Sequence, residues 1–474
     1  MKAKSTLIYG LSVFLGQAMS LVRVVLIANI IGIEKQGLVV IIGTVVGLVE
    51  SLLTLGNSWQ IVQSRHGDDQ AFQSSLHMFN AIRGLIVGLG IALAGPAIES
   101  LSGVGGIIEP LLVLSCCSII RGFTSLGPWL ALRSAKSTAL AGMELVPAVS
   151  GLLALAACAW WIQNVWLFVI TQVASALGSV FFSHVISKIP YRLSVRRHYI
   201  RSIFGFTIPL TGAGLLYWLN VQGDRFIVLF GLPKDDVVQI KEDLALYGTV
   251  AGLALVASVA MSKVMQAKVL YELSRLQDVH EEYRSCSRKL VVDVTLIGCG
   301  LVMACSMAGF QIVITLLGPD YRPVGVFLLP IGLVVGVQFF RRYLYLAAMS
   351  VGNTKVMLLG NLIRASGVIF AGIAFAMGVG LAGLAWGGVL GEVVSVITLL
   401  LLKSGRGAIS FKRGLLSLSL IFAGAIPALL FSHVEQGMVQ AAIGVVAGGL
   451  LVLIGFGRLS GWLSSGLGLK GRRG

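Results

Sequence analysis

The chain has 474 residues, of which 56% are hydrophobic and 12% charged, with a mean hydropathy of +0.91 and a formal charge of +16. These values exclude an ordinary soluble globular protein and indicate an all-α polytopic membrane protein. The surplus of Lys and Arg reads as the positive bias of cytoplasmic loops, so no nucleic-acid partner is expected.

Apolar runs divide the chain into about 14 spans, each long enough to cross a bilayer. They cover 5–31, 37–62, 76–98, 108–132, 139–162, 165–187, 203–231, 244–266, 291–316, 323–348, 354–378, 380–403, 414–433 and 438–457. The basic, apolar start reads as a retained first span because its run is too long for a signal peptide and no small-residue cleavage site follows. Spans 1 and 2 form a hairpin across a short polar turn, Gly32 to Gln36. Connecting loops are short, so no soluble domain is expected. The runs do not alternate with period two, which excludes a β-barrel.

Loop charges orient the chain. With the N-terminus inside, 26 of the 36 Lys and Arg fall on inner segments and 4 on outer loops, which places both termini in the cytoplasm. The basic loop Lys188 to Arg201 separates six spans from the next six, and a second basic break, Lys403 to Arg413, precedes a final pair. The expected organisation is an N-terminal six-helix lobe, 1–201, a second lobe, 202–403, and a C-terminal helix pair with a basic tail, 404–474. The tail after Arg458 is expected to lie on the inner surface. The lobes look like a parallel repeat: Gly43 to Leu48 reads GTVVGL, and Gly248 to Leu253 reads GTVAGL. Arg23 and Arg225 stand at similar distances upstream of the two copies.

Charges inside spans are costly and usually face a cavity or a partner. Helical spacing puts Arg23 on a face with Ser12, Gly16 and Ser20. It puts Glu50 with Gly43, Gly47, Thr54 and Asn57, and Arg121 with Cys117, Ser125 and Pro128. Asp224 shares a face with Pro209, Ala213, Tyr217 and Asn220, with Arg225 beside it. Arg364 aligns with Gly360, Gly367 and Ala371, and Glu392 with Ala385, Gly388 and Ser395. Arg83 lies in the inner half of the third span. Arginine suits a diphosphate, because its planar fork bonds two oxygens and its charge is not titrated away. Two readings stay open for these charges: cavity lining, or salt bridges between helices. Lys263, Asp293, Arg341 and Arg342 lie near inner helix ends, where snorkelling accounts for them. Trp160, Trp161 and Trp166 read as an interfacial belt.

Three stretches carry a family likeness: NIIGIEKQGLVVIIGTVVGLVESLLTLG, then NVQGDRFIVLFGL with DLALYGTVAGLALVASV, then LLGPDYRPVGVFLLPIG through GVGLAGLAWGGVLGEVV. Together they resemble the polysaccharide flippases of the multidrug/oligosaccharidyl-lipid/polysaccharide exporter superfamily. The resemblance implies two six-helix lobes forming a V around a central cavity, alternating access, and a glycan on a polyprenyl diphosphate as substrate. On that basis Arg23, Arg83, Arg121, Arg225 and Arg364 are expected to bind substrate. Glu50, Asp224 and Glu392 are expected to tune the charge or bind a coupling H⁺ or Na⁺.

The expected protein is a transporter of the bacterial cytoplasmic membrane, not an enzyme. It would serve O-antigen, exopolysaccharide or related surface polysaccharide biosynthesis alongside a polymerase and assembly proteins. A lipid II flippase of peptidoglycan synthesis and a cation-coupled multidrug exporter are the alternatives. No Gly-Lys-Ser/Thr motif occurs, so ATP hydrolysis is not expected. Neither the six cysteines nor the histidines show metal spacing, and no cofactor or metal site is expected.

Overall fold

The computed structural model describes residues 3–52, 60–61, 64, 66–133, 138–234, 236–276, 278–353, 355–402, 409–430 and 438–466. Among these there are helices and no strands. The helices are α1 (Ala3–Ile31), α2 (Ile33–Leu52), α3 (Gln70–Ser102), α4 (Ile108–Gly122), α5 (Gly127–Arg133), α6 (Thr138–Cys158), α7 (Val165–Val185), α8 (Arg197–Gly231) and α9 (Val237–Arg275). They continue with α10 (His280–Leu317), α11 (Gly325–Met349), α12 (Lys355–Arg364), α13 (Ser366–Ala376), α14 (Gly380–Leu401), α15 (Phe411–Ala423), α16 (Ile426–Leu430) and α17 (Met438–Gly466). Ten stretches among the described residues are long and apolar enough to cross a membrane. Three of the stretches read as single spans are interrupted: 108–132 between α4 and α5, 354–378 between α12 and α13, and 414–433 between α15 and α16 within its described residues. Thr54, Asn57 and the tail beyond Gly466 lie outside the described residues, as do the side chains of Pro209 and Lys263.

Local chemistry sets the ends of these helices. The turn between α1 and α2 is shorter than the polar stretch Gly32 to Gln36 predicts. Gly32 alone makes it, at φ +79°, and the helix resumes at Ile33. Only a residue without a Cβ adopts that left-handed conformation at no cost. Asp69 caps α3, its side chain accepting from the Ala71 N–H, and Asn164 caps α7 through the Trp166 N–H.

The chain forms two compact units, Met1–Thr249 and Val250–Gly474, with the boundary inside α9. In the first, Ile27, Ile31, Val39, Leu155 and Leu167 form one core cluster, and Phe72, Leu76, Leu126 and Tyr199 form another. In the second, a continuous core joins Val294 and Val302 of α10, Phe339, Phe340 and Tyr343 of α11, Val396 of α14 and Ile421 of α15. The long helix α17 packs along α10, backbone against backbone. A methyl group on Gly448 would lie 2.8 Å from the Gly300 carbonyl oxygen. Such close approach is how membrane helices gain packing energy when burial from water gives none. Outward faces are apolar: Trp160, Trp161, Leu93, Phe181 and Val439 are all strongly exposed, as lipid-facing positions should be.

Candidate functional site

The first unit holds a cavity of about 390 Å³ lined by Arg83, Arg121, Asn80, Trp129, Glu144 and neighbours. Its geometry starts from two glycines. α3 and α4 touch at Gly84 and Gly122, and a methyl group on Gly84 would lie 2.8 Å from both the Gly122 Cα and the Ser118 carbonyl oxygen. Arg83 and Arg121 are the chain neighbours of these glycines, so the close contact delivers both guanidiniums to one space. From α2, Glu50 joins them: its Oε1 accepts from Arg121 Nη1 at 3.2 Å and from Ser118 Oγ at 3.3 Å. The pair is only partly buried, with side chains 38% and 32% exposed, and Arg121 opens onto the polar cavity. Screening there makes the bond weak and exchangeable.

The break after Gly122 also shapes this space. The predicted face Cys117, Arg121, Ser125 and Pro128 does not continue as one helix, because α4 stops and α5 restarts at Gly127. In the gap, the Ser125 N–H donates to Ser183 Oγ at 2.9 Å, and the Leu126 N–H donates to His77 Nε2 at 3.2 Å. The freed backbone is thereby satisfied, and Trp129 is brought to the cavity.

Arg23 and Arg225 are placed elsewhere in the unit. Arg23 Nη1 donates to Ser175 Oγ at 2.8 Å and fits over Gly151, where a methyl group would come within 2.4 Å of it. It ties α1 to α6 and α7. Arg225 bridges the two repeat copies: its guanidinium donates to Thr44 Oγ1 at 3.4 Å and to the Gly248 carbonyl at 3.3 Å. Gln36 Nε2 adds a bond to Thr249 Oγ1 at 3.1 Å. Asp224 accepts from the Tyr247 hydroxyl at 2.6 Å. The structure therefore joins Arg83, Arg121 and Glu50 and keeps Arg23, Arg225 and Asp224 in separate contacts.

The second unit carries a dry cluster. Glu392 Oε1 accepts from Arg364 Nε at 2.6 Å and from Arg341 Nη2 at 3.2 Å, while its Oε2 accepts from Arg341 Nε at 2.5 Å. Their side chains are 0%, 7% and 2% exposed. Arg341 Nη1 also donates to Asn361 Oδ1 at 3.0 Å and to the Tyr345 hydroxyl. This corrects the snorkelling expectation for Arg341. The side chain turns inward because Glu392 on α14 offers a carboxylate that water does not reach. Asp293 likewise is buried, and its Oδ1 lies 2.9 Å from Arg458 Nε of α17 as an ion pair. Glycines again bring the partners together, Gly367 and Gly391 touching next to Arg364 and Glu392. In both units a glycine beside a charge was the available signal in the sequence. Trp129 and Asn80 carried no such mark, and Glu144 was visible only as a charge inside a span.

Outside the spans, two carboxylates are held below their usual pKa. For Asp69 the main cause is the hydrogen bond from the Tyr199 hydroxyl, then the one from the Ala71 N–H. For Glu34 it is the bond from Lys241 Nζ, at 2.9 Å. Among the described residues no group of His, Cys, Asp and Glu could hold a metal ion.

Comparison with known proteins gives the fold. The chain is similar to the solved lipid II flippase MurJ in an inward closed conformation, with TM-score 0.71 and 13% identity, covering 95% of this chain and 98% of that one. It is similar to a multidrug resistance MATE family transporter of the MOP superfamily in an inward-facing conformation, with TM-score 0.60 and 16% identity over 87% and 98% of the two chains. The outward-facing conformation of such a transporter gives TM-score 0.56 at 16% identity over 88% and 96%. Among curated proteins no sequence matches significantly. The profile described as "Polysaccharide biosynthesis protein" matches residues 26–325, more than half of the chain. The chain is thus a multi-pass membrane protein with the fold shared by MurJ and MATE transporters, and it belongs to the polysaccharide biosynthesis protein family.

Proposed function

We propose that the protein is a flippase that carries a polyprenyl-diphosphate-linked oligosaccharide from the inner to the outer leaflet of the bacterial cytoplasmic membrane. It would act by alternating access, for surface polysaccharides such as O-antigen or exopolysaccharide. The observation that carries this reading is the cavity of the first unit, where Arg83 and Arg121 share one polar space. Two guanidiniums there match the two phosphoryl groups of the carrier lipid, each able to take a pair of oxygens. The bond of Arg121 to Glu50 is exposed enough to yield to a substrate oxygen. Released, Glu50 would be the group that takes a coupling proton or Na⁺.

Within this reading the eight charges divide. Arg83 and Arg121 meet substrate, and Glu50 takes the coupling ion. Arg23 and Arg225, with Asp224, set the helices around them. Arg364 and Glu392 hold the second unit together. The lobes would be 1–201 and 202–403, with 404–474 as an added pair, and a polymerase and assembly proteins would receive the product. Family membership supports a polysaccharide substrate. A peptidoglycan precursor is the second reading, favoured by the similarity to MurJ. The cationic cavity disfavours export of cationic drugs.

The test is translocation of a labelled polyprenyl-diphosphate sugar in proteoliposomes. Arg83→Ala and Arg121→Ala should each lower it about tenfold or more, since a hydrogen bond to a charged group contributes about 1.5–3 kcal/mol. Lysine at either position should restore only part. Full transport by both alanine variants, at equal incorporation, would overturn the assignment.

A further inference from the structure

We infer that the cavity of the first unit reads the sugar attached to the diphosphate, as a single pyranose ring held beside the phosphates. This rests on the proposed function and adds a specificity site to it.

The lining supplies the argument. A site for phosphate alone needs donors and positive charge. This cavity has those in Arg83 and Arg121, but also Trp129 of α5, Asn80 of α3, Glu144 of α6 and Ser179 of α7. A carboxylate in a pure anion site repels its ligand. The same carboxylate suits sugar hydroxyls, which donate to it. An amide both donates and accepts, as vicinal hydroxyls require. An indole gives a broad apolar plane with a polar edge, which fits the C–H face of a pyranose. Asn80 and Arg83 stand three residues apart on α3 and so share one helix face. The group that grips phosphate and the group that reads a hydroxyl are thus presented together.

Size sets the reach of the site. At about 390 Å³ the cavity lies toward the small end of ligand pockets, which run from roughly 300 to 1,000 Å³. It accommodates one ring with its phosphates and leaves the remaining sugars outside. Selection at this site therefore acts on the lipid-proximal sugar. Charge refines it further. An acidic first sugar would set its carboxylate against Glu144, whereas a neutral or N-acetylated hexose would not.

Sugar diphosphates occur on lipid carriers and on nucleotides, and the experiment separates the two. Full-length protein in nanodiscs is titrated with farnesyl diphosphate, with farnesyl-diphosphate-linked N-acetylglucosamine, with its glucuronic acid counterpart, and with UDP-N-acetylglucosamine. The N-acetylglucosamine lipid should bind about tenfold more tightly than the bare diphosphate, the effect of one or two added hydrogen bonds. The glucuronyl lipid should bind more weakly than the N-acetylglucosamine lipid, and the nucleotide sugar weakest. Trp129→Ala should bring the N-acetylglucosamine lipid down to the affinity of the bare diphosphate. Trp129→Phe should keep most of the difference, which guards against a merely misfolded alanine variant. Glu144→Gln should abolish the discrimination against glucuronic acid.

Equal binding of bare and sugar-bearing lipid by the unmodified protein would overturn the sugar site while leaving the diphosphate reading intact. So would loss of both ligands alike in Trp129→Phe. Insensitivity of every ligand to Arg121→Ala would instead sink the diphosphate reading. Tightest binding of UDP-N-acetylglucosamine would reassign the cavity to a nucleotide carrier.

Discussion

Glu50 and Glu392 invite comparison. Each lies in an apolar helix, each accepts from an arginine, and each has a glycine contact close by. Their surroundings differ. Arg121 borders a cavity, and it and Glu50 keep about a third of their side-chain surface, whereas Glu392 with Arg341 and Arg364 is sealed. In a wet site two charges gain little by pairing and exchange readily. In a dry site neither partner can leave, because a lone buried charge is far more costly than a pair. Residue type and spacing look alike in the two clusters. Solvent access separates a site suited to exchanging partners from one suited to holding helices together.

The largest expected effect tests that contrast directly. Glu392→Gln strands two buried guanidiniums and should cost about 3–5 kcal/mol, read as a fall in melting temperature in detergent. Glu50→Gln should cost only about 0–1 kcal/mol, the usual range for exposed pairs. It should instead alter retention of a labelled polyprenyl-diphosphate sugar by freeing Arg121. Equal destabilisation by the two substitutions would erase the distinction.

A smaller effect sharpens the wet side. Gly122→Ala would put a methyl group 2.9 Å from the Asn80 carbonyl oxygen and 3.0 Å from the Gly84 Cα. Separating α3 from α4 should cost about 1–3 kcal/mol, the range for overpacking. Because Arg83 and Arg121 would part with the helices, translocation should fall further than stability does. If transport and melting decline in proportion, the glycine contact serves packing alone.

The smallest effect lies outside the spans. Asp69 has a folded pKa below its usual value, held there by Tyr199 first and the α3 N-terminus second. Its contribution is therefore present above the ordinary carboxylate pKa of about 3.9 and disappears as pH falls through the lowered value. Asp69→Asn should melt slightly earlier than the unmodified protein near neutral pH, and the two curves should merge in strong acid. A gap that persists in acid would assign the effect to something other than this charge.

Much of the fold was legible without coordinates. Long apolar runs cannot remain in water, and no backbone group can go unbonded in lipid, so helices follow from hydropathy alone. The candidate charges were visible for the same reason, because an ionisable residue inside such a run is conspicuous. The distribution among them was not. Arg23 and Arg121 look alike along the chain, yet one fits over Gly151 and reaches Ser175, and the other borders the cavity. Arg341 sits where snorkelling is the simplest expectation, and only the arrival of Glu392 from another helix turns it inward.

The sequence by itself determined the solvent of this protein, its helical class and which charged residues fall inside its apolar runs, since each depends on transfer energies along a single strand of chain. It also marked the hairpin α1–α2, with Gly32 at its turn and Glu50 in its second arm. Tertiary structure alone decided which charges meet. Pairing depends on how closely helices approach, and that is set by glycine contacts such as Gly84 with Gly122, between residues far apart in sequence. It likewise decided which meetings stay wet, because water access belongs to the packed assembly of helices and to no single residue.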